Sequence, residues 1–100
     1  MNRYTVTPRA RADIEEIWNY TTEQWGADQA EEYVRMLQQA IELLAREPTR
    51  GRSIEEIRSG YRKYPAASHM LFYRMTNDGI EVVRILHRRM DIERHIGADE

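Results

Sequence analysis

The stretch Ser68-His-Met-Leu-Phe-Tyr-Arg-Met-Thr-Asn-Asp-Gly-Ile-Glu-Val-Val-Arg-Ile-Leu-His-Arg-Arg-Met-Asp91 decides the fold. It reads as two apolar strands meeting at Asn77-Asp78-Gly79, with a polar, basic run after the second. Asn, Asp and Gly tolerate the positive φ angles of a tight hairpin turn, and alternating apolar side chains flank them. A two-residue turn fits at Asn77-Asp78 or at Asp78-Gly79. Either placement groups Leu71, Tyr73 and Met75 with Ile80, Val82, Arg84 and Leu86 on one face. Met70, Phe72 and Arg74 then share the other face with Glu81, Val83, Ile85 and His87. The first placement also sets Arg74 opposite Glu81, a favourable cross-strand pair.

Both faces of this hairpin are apolar, whereas a sheet with one wet face alternates apolar and polar residues. One face is expected to meet helices. The other, with Met70, Phe72, Val83 and Ile85 rimmed by Arg74 and His87, is expected to form an exposed patch of the kind that marks a protein-binding surface. The alternative is that the C-terminal turn or a second copy of the chain covers it. Arg84, inward in this register, calls for a buried carboxylate, and Asp13 or Glu16 could supply it.

Upstream lies the support for the hairpin. Arg3-Tyr-Thr-Val6 alternates and reads as a short strand. Thr7-Pro8 is a helix start, with Thr7 as N-cap and Pro8 in the first helical position. Ala12, Ile14, Ile17, Trp18, Thr21 and Trp25 recur near helical spacing up to Gly26, which stops the helix. A second helix follows, with Ala30, Tyr33, Val34, Leu37, Ile41, Leu44 and Ala45 on one face, so the pair forms an antiparallel helical hairpin. Trp18, Trp25 and Tyr33 are read as packing residues.

Pro48 to Gly51 ends that helix. Ser53-Ile-Glu-Glu-Ile57 reads as one helical turn capped by Ser53 and answered by Glu56. Gly60 to Tyr64 is a strand closed by Pro65. After Met90, Asp91 is the expected cap of a last helical turn running to His95. The class is therefore α+β, in the order β-α-α-β-β-β with a short C-terminal helical turn. The helical hairpin packs on one face of a small, mostly antiparallel sheet.

A chain of 100 residues has room for one domain, here 1–100, with 97–100 expected to fray. It contains no cysteine, which excludes disulfides, thiolate catalysis and thiolate-bound zinc. No apolar run approaches the roughly 18 residues of a membrane span, and the N-terminus lacks a signal-peptide pattern. A cytoplasmic protein without membrane contact is expected. The net charge is -2, yet Arg58 to Arg94 holds eight cationic residues against four acidic ones, and Lys63 is the chain's one lysine. Arginine favours bidentate contacts with carboxylates and phosphates, so Arg62, Arg84, Arg88 and Arg89 are candidate partner or target contacts.

The histidines are His69, His87 and His95, and none has metal-ligand spacing with another ligand. His69 stands at a strand entry. His87, among Arg84, Arg88 and Arg89, is the candidate general acid–base for a phosphodiester, though one histidine among arginines equally suits a contact surface. There is no glycine-rich phosphate loop and no serine nucleophile motif. No catalytic residue, metal or cofactor is expected.

Gly60-Tyr-Arg62, Ser68-His69, Phe72-Tyr73-Arg74, and Arg84-Ile-Leu-His87 with Arg89-Met90-Asp91 resemble the ParE toxins of the RelE/ParE superfamily. So do Ala12-Asp13-Ile14, Ile17-Trp18-Asn19-Tyr20, Trp25-Gly26, Pro48 and Gly51. The resemblance spans about residues 3–96. It implies the toxin of a type II toxin–antitoxin system that inhibits DNA gyrase, blocks replication and is not an enzyme. It also implies a ParD-like antitoxin as partner, with operator DNA contacted only through that antitoxin. The disordered C-terminal arm of such an antitoxin folds onto the toxin, so Met70, Phe72, Arg74, Val83, Ile85 and His87 are the expected lining of its groove.

The RelE-like branch, ribosome-dependent mRNA endoribonucleases, is the alternative on the same fold. Met70 stands where those relatives place an arginine, and no tyrosine follows Tyr73. A non-toxic module that retains only antitoxin binding is the third possibility.

Overall fold

The structure is a computed structural model that describes residues 3–90 and 92–97. The chain begins with β1 (Arg3–Val6), passes through α1 (Pro8–Trp25) and α2 (Ala27–Arg46), and reaches a 3-10 turn at Pro48–Arg50. Then come β2 (Arg52–Ser53), β3 (Tyr61–Ala66), β4 (His69–Met75) and β5 (Gly79–His87), followed by a π-type turn at Glu93–Gly97. The five strands form one sheet in the order β1-β5-β4-β3-β2. Only β1 and β5 run parallel. This is the expected α+β arrangement, with the helical hairpin on one face. The cap expected at Asp91 and most of the fraying tail fall outside the described residues.

The helix start is as read: Thr7 Oγ1 accepts from the Ala10 N–H at 3.1 Å, with Pro8 behind it. Gly26, at φ 97°, links the helices. That is a left-handed conformation glycine adopts without a side-chain clash, so one residue suffices to reverse the chain. α2 buries Ala30, Leu37, Ile41, Leu44 and Ala45, as its periodicity predicts. α1 differs. Its buried face is Ala10, Asp13, Ile17 and Thr21, while Trp18 and Trp25 are exposed. The face that wins contains two polar residues, because the sheet supplies a partner for Asp13.

The β4–β5 turn falls at the first of the two placements, with Arg74 opposite Glu81 and their side chains paired at 2.7 Å. Yet none of Asn77, Asp78 and Gly79 has a positive φ. Gly79 is required for contact instead: a Cβ there would lie 1.6 Å from the Arg3 carbonyl oxygen.

Beyond Tyr73 the register slips. Tyr73 pairs with Val82 but Phe72 pairs with Arg84, so Val83 is the extra residue of a bulge. A bulge reverses which face each later side chain takes. Ile85 and His87 thus move to the helix side and Leu86 moves to the opposite side, reversing the expected grouping. Ile85 joins Leu71, Tyr73, Ile80 and Val82 in the core beneath the helices.

The opposite face is not an open patch either. Phe72, Val83 and Leu86 pack with Ile54 and Ile96, with Met70, Ile57, Tyr61 and Ile92 around them. Phe72 is only 1% exposed. The C-terminal turn and the Ile54–Arg58 turn cover this face, and burying a side chain of that size stabilises by about 1.5–3 kcal/mol. Arg58 fastens the two covers. Its guanidinium stacks over Tyr61 at 5.2 Å and donates to the Ile96 carbonyl at 3.4 Å.

Two local expectations change as well. The segment after Ser53 closes one turn, with the Ile57 and Arg58 N–H groups on the Ile54 carbonyl, and Ser53 Oγ accepts from the Glu55 N–H. Glu55 rather than Glu56 completes it, accepting from the Gly60 N–H and from Ser59 Oγ. β3 continues through Pro65 to Ala66, because β2 pairs only with Arg62 and Lys63. At Pro65 the strand is locally an edge, where the missing N–H costs no ladder bond.

Candidate functional site

β1 pairs with β5 only as far as Val82. Past that point α1 takes over the strand's open edge with side chains. Thr7 Oγ1 donates to the Val83 carbonyl at 3.0 Å, and Asp13 Oδ2 accepts the Ile85 N–H at 2.9 Å. Asp13 also receives Arg84 in a two-pronged ion pair, Nε to Oδ2 at 2.9 Å and Nη2 to Oδ1 at 3.2 Å. Both side chains are buried. The carboxylate needed by Arg84 is therefore Asp13, not Glu16.

This pair closes one side of a groove between α1 and the end of β5. The groove, of about 560 Å³, is lined among others by Ile17, Tyr20, Thr21, Ile85, His87, Met90 and His95. A second hollow of about 410 Å³ shares Tyr20, Thr21, His69 and His87 with it and continues to Trp25, Gln29 and Tyr33. Together they form one elongated depression with an apolar floor. Its aromatic walls are open to solvent, with Tyr20 64% and Trp25 72% exposed.

At the middle of the groove His69 and His87 face each other across β4 and β5, with ring centroids 5.5 Å apart and planes at 75°. Tyr33 of α2 locks this pair to the helices. Its hydroxyl accepts the Ser68 N–H at 3.1 Å and lies 2.7 Å from His69 Nδ1. The hydroxyl can donate to Nδ1 or accept from it, so His69 is tied to Tyr33 in either tautomer. His87 Nδ1 accepts the Arg89 N–H at 3.2 Å, which leaves the proton of its neutral ring on Nε2. Burial, reinforced by His87 and opposed by Asp13, holds the His69 pKa below its ordinary value.

The six residues expected to line an antitoxin groove do not share one surface. Phe72 and Val83 lie under Ile54 and Ile96, with Met70 packed beside them, and Ile85 is in the core below the helices. Arg74 is an exposed partner of Glu81. Of the six, His87 and Ile85 reach the groove just described. The arginine candidates also divide. Arg62 donates to the Gly51 carbonyl at 2.7 Å and Arg84 is held by Asp13, whereas Arg88 and Arg89 are exposed beyond β5. Arg88 also anchors the β3–β4 turn through its bond to the Ala67 carbonyl at 3.3 Å.

Tyr20, Thr21, Trp25 and Met90 form much of the groove and were not singled out as site residues. The available signal was the exposed side of α1. Once Ala10, Asp13, Ile17 and Thr21 are buried, Tyr20 and Trp25 have no packing role left. Among the described residues no cluster of three or more potential ligands could hold a metal ion. No described helix is long and apolar enough to cross a membrane.

Residues 4–92 match the family described as ParE toxin of type II toxin–antitoxin system, parDE. Toxin ParE1 of Mycobacterium tuberculosis is 54% identical over 96 residues, covering 95% of this chain and 98% of that protein. Toxin ParE1 of Caulobacter vibrioides is 40% identical over 97 residues, with 97% of this chain and all of the relative covered. Toxin ParE of Escherichia coli is 33% identical over 93 residues, 92% of this chain and 90% of that protein. A solved chain from the chromosomal ParDE system of P. aeruginosa shares the fold, with a TM-score of 0.75 over 87% of this chain and 96% of that one at 19% identity. The end-to-end correspondence, on a fold of the same kind, makes this chain a member of the ParE toxins of type II toxin–antitoxin systems.

Proposed function

We propose that this toxin acts in the cytoplasm on DNA gyrase, blocking replication, and that a ParD-like antitoxin neutralises it by direct binding. The observation that carries the reading is the near-complete match to proteins named as ParE toxins. The likeness to ParE in the Arg84–His87 and Arg89–Asp91 motifs implies gyrase as the target.

Arg84 is held by Asp13, His69 Nδ1 is bonded to Tyr33, and His87 Nδ1 to the Arg89 amide. Arg88 and Arg89, exposed beyond β5, are the proposed target contacts.

The test sets gyrase supercoiling beside ribosome-dependent mRNA cleavage, each with purified toxin. The expected result is blocked supercoiling with accumulation of cleaved DNA, intact mRNA, and relief on adding antitoxin. Discrete mRNA cuts that disappear in His87→Ala, with supercoiling untouched, would replace this reading by the endoribonuclease one. Inactivity in both assays with antitoxin binding retained would make the chain a non-toxic module.

A further inference from the structure

β2 and β3 bring two cations together with no carboxylate to neutralise them. Arg52 stands directly opposite Lys63 in the antiparallel pairing, so both side chains lie on the same face of the sheet. Lys63 in turn pairs with Phe72, which places the two on the outer face, away from the helices. Like charges directly opposite each other are destabilising. Among the described residues neither forms an ion pair, whereas Arg3, Arg35, Arg50, Arg74 and Arg84 each have a carboxylate partner. The acidic groups at this end of the molecule are engaged elsewhere: Glu47 with Arg50, Glu81 with Arg74, and Glu55 with the Gly60 N–H and Ser59 Oγ. Glu56, exposed on the same turn as Glu55, pairs with neither cation.

The backbone that carries the pair is fastened to the fold. Gly51, the residue before Arg52, donates its N–H to Tyr73 Oη at 2.9 Å, and its carbonyl accepts from Arg62 at 2.7 Å. Tyr73 Oη donates in turn to the Pro48 carbonyl at 2.7 Å. A Cβ on Gly51 would collide with that hydroxyl, so the close approach requires glycine. Tyr61, two residues before Lys63 and so on the same face, carries the Arg58 guanidinium 5.2 Å from its ring centre. Lys63 follows roughly 7 Å further along β3, with Arg52 opposite. The three cations form a row, and neither Arg52 nor Lys63 lines the groove or the hollow beside it.

A row of cations along a strand matches a run of anions along a chain, and the phosphates of a nucleic acid are such a run. The apolar side chains beside the row, Ile54 and Phe72, are each only 1% exposed. The row therefore lacks the apolar contacts that a protein segment takes at the centre of an interface and keeps the charges that a polyanion takes. Resting on the gyrase reading above, we propose that Arg52 and Lys63, with Arg58 beside them, contact phosphates of the duplex DNA on which gyrase works. The toxin would then touch enzyme and DNA at once, and the missing counter-charge of the Arg52–Lys63 pair would come from outside the chain. Contacts of this kind position a protein on DNA without reading its sequence.

The experiment measures binding of the purified toxin to a short mixed-sequence DNA duplex by fluorescence anisotropy, from about 50 to about 200 mM salt, with urea unfolding of every variant. The expected result is sequence-independent binding whose log affinity falls against log salt with a slope of about −2 to −3, close to one unit per phosphate contact. Arg52→Gln and Lys63→Gln should each weaken binding several-fold and flatten the slope by about 1. Arg35→Gln removes the same charge from an arginine paired with Glu31 and should change neither. Lys63→Glu separates binding from folding: it sets opposite charges at the Arg52 pair, so the urea midpoint should rise while DNA affinity is lost. In gyrase supercoiling, Arg52→Gln/Lys63→Gln should need about tenfold more toxin for the same block. A wild-type toxin that does not bind the duplex at low salt would overturn the proposal and leave the gyrase reading standing, and so would Arg52→Gln and Lys63→Gln losing no more affinity than Arg35→Gln. A preference for single-stranded RNA over the duplex would assign the row to RNA and overturn it as well. A wild-type toxin that leaves supercoiling untouched would overturn the gyrase reading itself, and the proposal with it.

Discussion

Asp13 on α1 and Arg84 on β5, 71 residues apart in sequence, form a buried two-pronged ion pair that also accepts the Ile85 amide. The pair stands where β1 stops and β5 would otherwise show an open edge. It therefore fixes α1 against the strand and holds the bulge at Val83, which turns Ile85 and His87 toward the helices.

Breaking one partner should be far worse than removing both. Asp13→Leu leaves a buried guanidinium and the Ile85 amide without their shared acceptor, and a loss of about 3–5 kcal/mol is expected. Arg84→Met strands the carboxylate in the same way. The double variant Asp13→Leu/Arg84→Met removes both charges and should recover a large part of that loss, since apolar replacement of a buried pair is often neutral or better. Urea unfolding of the four proteins gives the coupling energy directly. Single effects that add without coupling would mean that the pair does not act as a unit.

Gly79→Ala should disrupt the β1–β5 pairing. The obstacle is the Arg3 backbone, 1.6 Å from the new Cβ, and not a flexible side chain. Either β1 moves away, losing its bonds to β5, or the start of β5 shifts and disturbs the Arg74–Glu81 pair. A loss of about 1–3 kcal/mol is expected, the range for overpacking a close contact. Hydrogen exchange of the Arg3 amide, which donates to the Asp78 carbonyl, should accelerate more than that of the α2 amides. Unchanged exchange and unchanged stability would contradict the contact reading of this glycine.

What was legible in the sequence was local. The turn was legible as one of two placements around Asn77-Asp78-Gly79; the one that forms brings Arg74 to Glu81, without the positive φ angles expected of those residues. α2 declares its buried face because every residue on it is apolar. The bulge at Val83 left no mark in the chain, for it depends on Thr7 and Asp13 bonding to a strand more than seventy residues away. From the bulge follow the errors in facing at Ile85, Leu86 and His87. In the register read from the turn, His69 opposes Leu86; the bulge moves it opposite His87 and so creates the histidine pair. α1 was misread for a related reason. Ile17 and Thr21 of the expected stripe are buried, but Asp13 looks like a surface residue until Arg84 is placed beside it, so apolar content points to Trp18 and Trp25 in its place. Ile96 illustrates a third limit: with Ile92 it gives only two apolar residues, four apart, in a polar tail, too few to declare a buried face, yet both join the cluster on the outer face.

His69 should make stability fall on mild acidification. Its folded-state pKa lies below the ordinary value of 6.5, because burial disfavours the charged ring and His87 adds to that, with Asp13 opposing. As pH falls through 6.5, the unfolded chain takes up a proton before the folded one does. The unfolded state then binds more protons, so stability declines with falling pH, at most about 1.4 kcal/mol per pH unit for one group, and levels off below the folded-state pKa. Above pH 7 the ring is neutral in both states and the full contribution is present. His69→Gln should therefore be less stable than wild type near pH 8 but lose less stability between pH 7 and 5. Urea midpoints across that range measure the two slopes, and their difference isolates the part that depends on His69. Equal slopes would show that His69 takes up its proton as readily in the folded chain as in the unfolded one.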